Sequence, residues 1–194
     1  EVQPGGDGLL RITLVDDTTT MLSRKLLHLD EPADIPFSFS TDLSFELPYR
    51  NAQALLTLAT QDEFHRPLSA RSVLLTLQSD GSPNITPAAS GDEWLDLDQP
   101  QPGESLSGGQ ILLAGSVTPP IDNPVIFELV TDTGGVVGSL QLAVKNPGTP
   151  QAFEFYLPYS FITSPRDVRL VIRQSAPIYL QNMILDSLPL TLAP

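Results

Sequence analysis

Cysteine is absent from this chain, which excludes disulfides, thiol nucleophiles and thiolate metal sites. Histidine is nearly absent: His28 and His65 are the only two, which leaves little for a hydrolase triad. Trp94 is the single tryptophan and there are four tyrosines, too few for an aromatic sugar-stacking platform. Bases are also scarce. Ten Lys and Arg against twenty-three Asp and Glu give a net charge of −13, a field that opposes nucleic acid and anionic membrane surfaces. No run approaches the roughly 20 apolar residues a membrane-spanning helix requires. The opening EVQPGGDG is polar and has no apolar signal core, so an exported form is expected to have carried its targeting segment upstream of Glu1, with any lipid-anchoring cysteine.

The acidity is uneven: residues 1–107 hold seventeen acids and six bases, residues 108–194 six acids and four bases. Solubility by self-repulsion explains this more simply than a specific cationic partner. Nineteen prolines and thirteen glycines, scattered through the chain, argue for turns rather than long helices.

The dominant periodicity is two. LLRITLVDD from Leu9 alternates apolar and polar residues as a half-buried strand does, and so do DLSFELPY, AQALLTLAT, ARSVLLTLQS, QILLAGSV, PVIFELVTD, GSLQLAVKN, QAFEFYLPY, DVRLVIRQ and LPLTLAP. Turn clusters such as SDGSPN, DTGG and KNPGTP separate them. TMLSRKLLHL fits a strand or a short helix, with the strand preferred. The expected class is all-β, as two tandem β-sandwich domains of roughly 6–8 short strands each.

Domain limits follow from texture. Between Ser79 and Gly109 proline, glycine, serine and acids dominate, and Trp94, Leu95 and Leu97 form the only apolar clump. The expected division is a first unit at 1–79, an acidic linker at 80–108 and a second unit at 109–194. DEWLDLD is expected to dock on one of the units. Both halves run in one order: a strand ending in Asp, a second strand, a proline-containing turn, a Phe-alternating strand closed by LPY, and two further strands. FELPY (Phe45, Leu47, Pro48, Tyr49) and FYLPY (Phe155, Leu157, Pro158, Tyr159) mark this internal repeat. They are expected to be fold markers: core residues, a strand stop and a corner tyrosine that packs or hydrogen-bonds back. The second half opens with an additional strand, ILLAGSVTPP, that has no evident counterpart before Leu9. Either EVQPGGDG is a remnant of that strand, or the first unit is open at that edge or closed by something else.

Candidate chemistry is sparse. No strained Gly-flanked serine elbow is present, and DTGGVVG and SLSGGQ read as hairpin turns rather than phosphate loops. The acid pairs Asp16–Asp17, Asp62–Glu63 and Asp92–Glu93 lack the spacing of a calcium loop. Asp92, Glu93, Asp96 and Asp98 form the best metal candidate, against the simpler reading of a solvated linker. Arg169 and Arg173 make a basic stripe expected to face water, with a contact to the acidic first unit as the alternative. No catalytic residue, cofactor or metal is expected. Edges of the sandwich, which offer unpaired backbone groups, are the features best suited to binding.

The second half resembles the YscW/YbaY family of bacterial envelope lipoproteins, which includes type III secretion pilotins. The residues that carry the resemblance are AGSVTPP, VIFELVTD, GSLQLAV, PGTPQAFEFYLPY, RLVIRQ and PLTL. They span nearly all of the second half; the first half fits less completely, and those family members have one unit rather than two. The resemblance implies a β-sandwich, export to the periplasm or outer membrane, no enzymatic activity and no cofactor. It also implies binding of another envelope protein or peptide, as a pilotin or assembly chaperone does. The alternative is a structural or adhesive cell-surface module without a peptide client.

Overall fold

The structure is a computed structural model that describes residues 6–29, 39–47, 49–80, 84, 93–160 and 162–194. Twelve strands account for its regular structure, apart from one 3-10 turn at Pro177–Tyr179. They are β1 (Leu9–Asp16), β2 (Met21–His28), β3 (Asn51–Gln61), β4 (Pro67–Gln78), β5 (Leu95–Gln99), β6 (Ser105–Leu106), β7 (Gln110–Val117), β8 (Val125–Thr131), β9 (Val136–Leu142), β10 (Gln151–Pro158), β11 (Arg166–Ala176) and β12 (Gln181–Leu192). The all-β expectation holds, and TMLSRKLLHL is a strand.

One long antiparallel sheet runs in the order β2-β1-β3-β4-β12-β11-β8-β9, with β6 alongside β12. A three-stranded sheet, β10-β7-β5, covers its second half. The long sheet reads the same from either end. The block β2-β1-β3-β4 corresponds to β9-β8-β11-β12, and the two blocks join through β4 and β12, where Ala70 pairs with Leu185. The correspondence extends to irregularities. Pairing slips between Leu14 and Val15, opposite Ser23 and Met21, and again between Leu129 and Val130, opposite Gly138 and Val136. A second slip follows Thr60 in one block and Gln174 in the other. The first hairpins carry matching positive-φ residues, Thr19 (66°) and Gly134 (79°), and the second hairpins carry His65 (61°) and Leu180 (53°). Each pair is 115 positions apart. Ala70 and Leu185 share that offset and face each other, so a local two-fold axis passes through their pair.

Part of the stretch expected to be a linker is built into the sheets. β5 and β6 lie within 80–108, and Trp94 is buried in the second unit's core. Proline and glycine density signalled a connection, whereas DEWLDLD docks through its apolar residues: Trp94, Leu95 and Leu97 pack on that core, and β5 pairs with β7. The described residues divide into two blocks of one sheet, the second of them covered by β10, β7 and β5.

Both principal cores lie on the same face of the long sheet. Ile184, packed against the second core, pairs with Arg71, which pairs with Leu58 of the first core. The second core is the larger, with Phe127, Leu129, Leu170, Ile172 and Leu192 all fully buried and Phe127 edge-on to Phe153 and Phe155 at 5.1 Å. The first core centres on Leu10, Ile12 and Leu29. On the opposite face, Ala70, Val171 and Leu185 are buried at the junction. Each long hairpin reaches across toward the other block: Ser187 Oγ lies 3.0 Å from the Pro67 and Leu68 carbonyl oxygens, and Ser72 Oγ donates to the Asn182 carbonyl at 2.7 Å.

The β1–β2 turn shows how a buried acid is kept charged. Burial pushes the Asp16 carboxyl up. Hydrogen bonds from the Thr18 hydroxyl and from the Thr20 and Thr18 N–H groups outweigh it and hold the pKa below its ordinary 3.8. A depressed folded pKa contributes stability above the unfolded value, and that contribution is lost as pH falls through the folded value. Asp16→Asn is therefore expected to cost about 1 kcal/mol at pH 7, the difference between charged and neutral hydrogen bonds. Urea titrations across pH should show the deficit shrinking as pH falls below 3.8. At the junction, Leu185→Ala removes a side chain with no exposed surface and should destabilise the chain by about 2–5 kcal/mol, read as a lower urea midpoint.

Candidate functional site

The repeated pentapeptide is the best place to compare the two units, because the same residue types meet different surroundings. In the second unit β10 lies antiparallel to β7, with Phe155 opposite Leu113 and Leu157 opposite Ile111. Leu157 is fully buried, and Tyr159 is buried while its backbone N–H donates to the Gly109 carbonyl at 3.0 Å. The Tyr159 hydroxyl is enclosed without a hydrogen-bond partner, so this tyrosine acts by packing. Gly138 lets β10 cross close by: a Cβ there would lie 2.6 Å from the Pro158 carbonyl oxygen.

In the first unit Phe45 is 40% exposed and Tyr49 is 66% exposed, against 9% for Tyr159. Leu47 is half-buried, and Pro48 lies outside the described residues. The strand expected over DLSFELPY is not formed: residues 41–47 belong to no ladder among the described residues. Side chains of β2 hold the segment instead. Ser23, at the position matching Gly138, donates to the Ser44 carbonyl at 2.6 Å, and Lys25 donates to the Thr41 hydroxyl and to the Asp42 carbonyl. The Cβ of Ser23 rules out the close crossing that Gly138 permits. Leu43 still packs on the first core, against Leu10 and Ile12.

On the same face of the sheet, the apolar residues of β4 are less covered than their counterparts in β12. Val73 is 47% exposed, whereas its counterpart Leu188 is 8% exposed; Leu75 and Leu77 are half-buried, whereas Leu190 and Leu192 are covered. What covers the second unit is β7 with β5 beside it. Among the described residues no counterpart of either strand lies over the first unit. That no counterpart of ILLAGSVTPP is evident before Leu9 was legible in the sequence, but Val73, Leu75 and Leu77 were not singled out, because alternation alone shows a face without showing what lies above it.

The other candidates settle into structural positions. His65 is the positive-φ residue of the β3–β4 turn, and His28 ends β2 on its exposed side. Asp62 is buried, accepts the N–H groups of Phe64 and Arg66, and takes the Arg66 Nε at 2.7 Å. Glu93, Asp96 and Asp98 are exposed around β5, and Asp92 lies outside the described residues. The described residues contain no group of three or more His, Asp and Glu side chains able to hold a metal ion.

The Arg stripe does not face water. Arg169 donates to Ser187 Oγ at 3.0 Å; burial lowers its pKa, partly countered by Asp62, with Arg66 adding to the lowering. Arg173 pairs with Glu128 at 3.0 Å. Folding of the β3–β4 hairpin over the second block brings Asp62 and Arg66 to this stripe, a contact that no local pattern encodes. A cleft of about 580 Å³ beside that hairpin is lined by Glu63, Phe64, Arg66, Asp132, Arg166 and Asp167. Its charges are mixed, and the Arg66 guanidinium is engaged by Asp62 and stands over the Phe64 ring at 5.1 Å. Ser164 and Thr191 also line the cleft, and the Thr191 hydroxyl donates to the Asp167 carboxylate at 2.9 Å.

No protein-family model, curated protein or solved structure matches this chain. The unequal covering makes a direct prediction. Tyr159→Ala is expected to cost about 3 kcal/mol, and Tyr49→Ala no more than about 0.5 kcal/mol, in paired urea denaturation curves.

Proposed function

We propose that this is a non-enzymatic, exported β-sandwich protein that binds another envelope protein or peptide at the open face of its first unit. The observation that carries the reading is the contrast between matching positions: Val73 and Tyr49 exposed, Leu188 and Tyr159 buried. An apolar β4 face, together with a segment on the same side of the block that has no ladder partner among the described residues, suits a client strand, which supplies backbone pairing and apolar cover together. The client-escorting role, the absence of a cofactor, and the periplasmic or outer-membrane location follow the YscW/YbaY-type resemblance.

A photo-reactive residue at Val73, with a matched one at the exposed Glu154 as control, tests this in whole cells. The expected outcome is a discrete adduct with one envelope protein from Val73 and none from Glu154. If neither position yields an adduct, the chain is better described as a structural or adhesive module without a client. Recovery of the chain in the cytoplasm, when expressed from its natural gene, would remove the export part.

A further inference from the structure

The second unit shows what kind of strand this architecture accepts. β7 presents Ile111, Leu113, Gly115 and Val117 opposite Leu157, Phe155, Phe153 and Gln151. Ile111, Leu113 and Val117 enter the core, each 1% exposed or less. The pentapeptide alignment carries the opposing positions to Leu47, Phe45, Leu43 and Thr41 of the first unit. β7 itself is paired on both sides, by β10 and β5, and is not free to serve that place as well.

We infer that the first unit takes, from a partner protein, an extended segment that runs antiparallel to residues 41–47. It presents branched apolar side chains at alternate positions in the manner of β7, and carries basic residues at its flanks. This rests on the client-binding reading above and adds the client's conformation, direction and side-chain class. The middle of the segment is uncharged because Val73, Leu75, Leu77 and Phe45 give a buried charge no polar side chain to pair with. Basic flanks follow from the field: residues 1–79 hold eleven acids against six bases, and opposite charge outside the apolar contact speeds encounter and fixes register. The glycine of β7 is not part of the requirement. A Cβ at Gly115 would lie 2.2 Å from the Asp96 carbonyl oxygen of β5, and no β5 counterpart covers the first unit among the described residues.

The probe is a synthetic peptide of residues 108–119 with lysines at both ends, titrated into the full chain by fluorescence anisotropy. Amide exchange is then followed on the complex. Saturable binding is expected, with slowed exchange in residues 41–47. Val73→Asp, at an exposed position that does not endanger folding, should weaken binding by about tenfold or more. A peptide with Ile111→Ser, Leu113→Ser and Val117→Ser should not bind. Failure of the β7 peptide while Val73 still cross-links a client in cells overturns the strand class and leaves client binding standing; failure of both overturns both. Binding that is indifferent to Val73→Asp places the peptide elsewhere and overturns the inference. A chain that sediments as a dimer, and becomes monomeric with Val73→Asp, assigns the face to a second copy and also overturns it.

Discussion

Ala70 and Leu185 face each other where β4 meets β12, and the pairing spans only three residues on each strand. Leu185 has no exposed surface, and Val171 beside it has almost none. Burial of each large apolar side chain is worth about 1.5–3 kcal/mol. The Arg71–Asp186 ion pair across the same junction, at 2.8 Å, has an arginine that is half exposed and adds about 0–1 kcal/mol. Apolar packing therefore holds the junction, and the ion pair refines its register while the Asp186 carboxylate also receives the Trp94 indole. Without that junction the β3–β4 hairpin would have no second block to fold onto, and Arg169 would lose its place beside Asp62 and Arg66.

One strand arrangement is used twice with different covering. Matching slips, hairpins and positive-φ positions show that each block satisfies the same backbone constraints. The blocks diverge above the sheet. Phe153, Phe155 and Leu157 of β10 pack into the core between the small and long sheets in the second unit, whereas the first keeps Leu43 on its core and leaves Phe45 and Val73 exposed. A sheet twisted in the normal way buries its concave apolar surface only when a second layer is supplied. The asymmetry leaves accessible apolar area in the first unit, at Phe45, Tyr49 and Val73.

Much of the fold was legible because strand alternation is local. LLRITLVDD and PVIFELVTD are strands with the expected faces, and Leu10, Ile12 and Leu14 are buried as the period of two requires. The failures also have local causes. DLSFELPY alternates as QAFEFYLPY does, yet only the second has a β7 to pair with, and a ladder needs both strands. The 80–108 stretch has linker composition, and the docking expected of DEWLDLD is made by Trp94, Leu95 and Leu97. Arg169 and Arg173 read as a solvent stripe because their partners lie in distant strands: Ser187 for one, Glu128 for the other.

The sequence by itself determined the all-β class, the exclusion of thiol chemistry and the shared order of the halves. All of these rest on residue type and near-neighbour spacing. Only the tertiary structure decided that the halves join in one sheet through β4 and β12, that the two pentapeptides differ in exposure, and that Val73, Leu75 and Leu77 form an uncovered floor. Those outcomes depend on which strands meet across more than a hundred residues, and alternation shows that a face is apolar without showing what covers it.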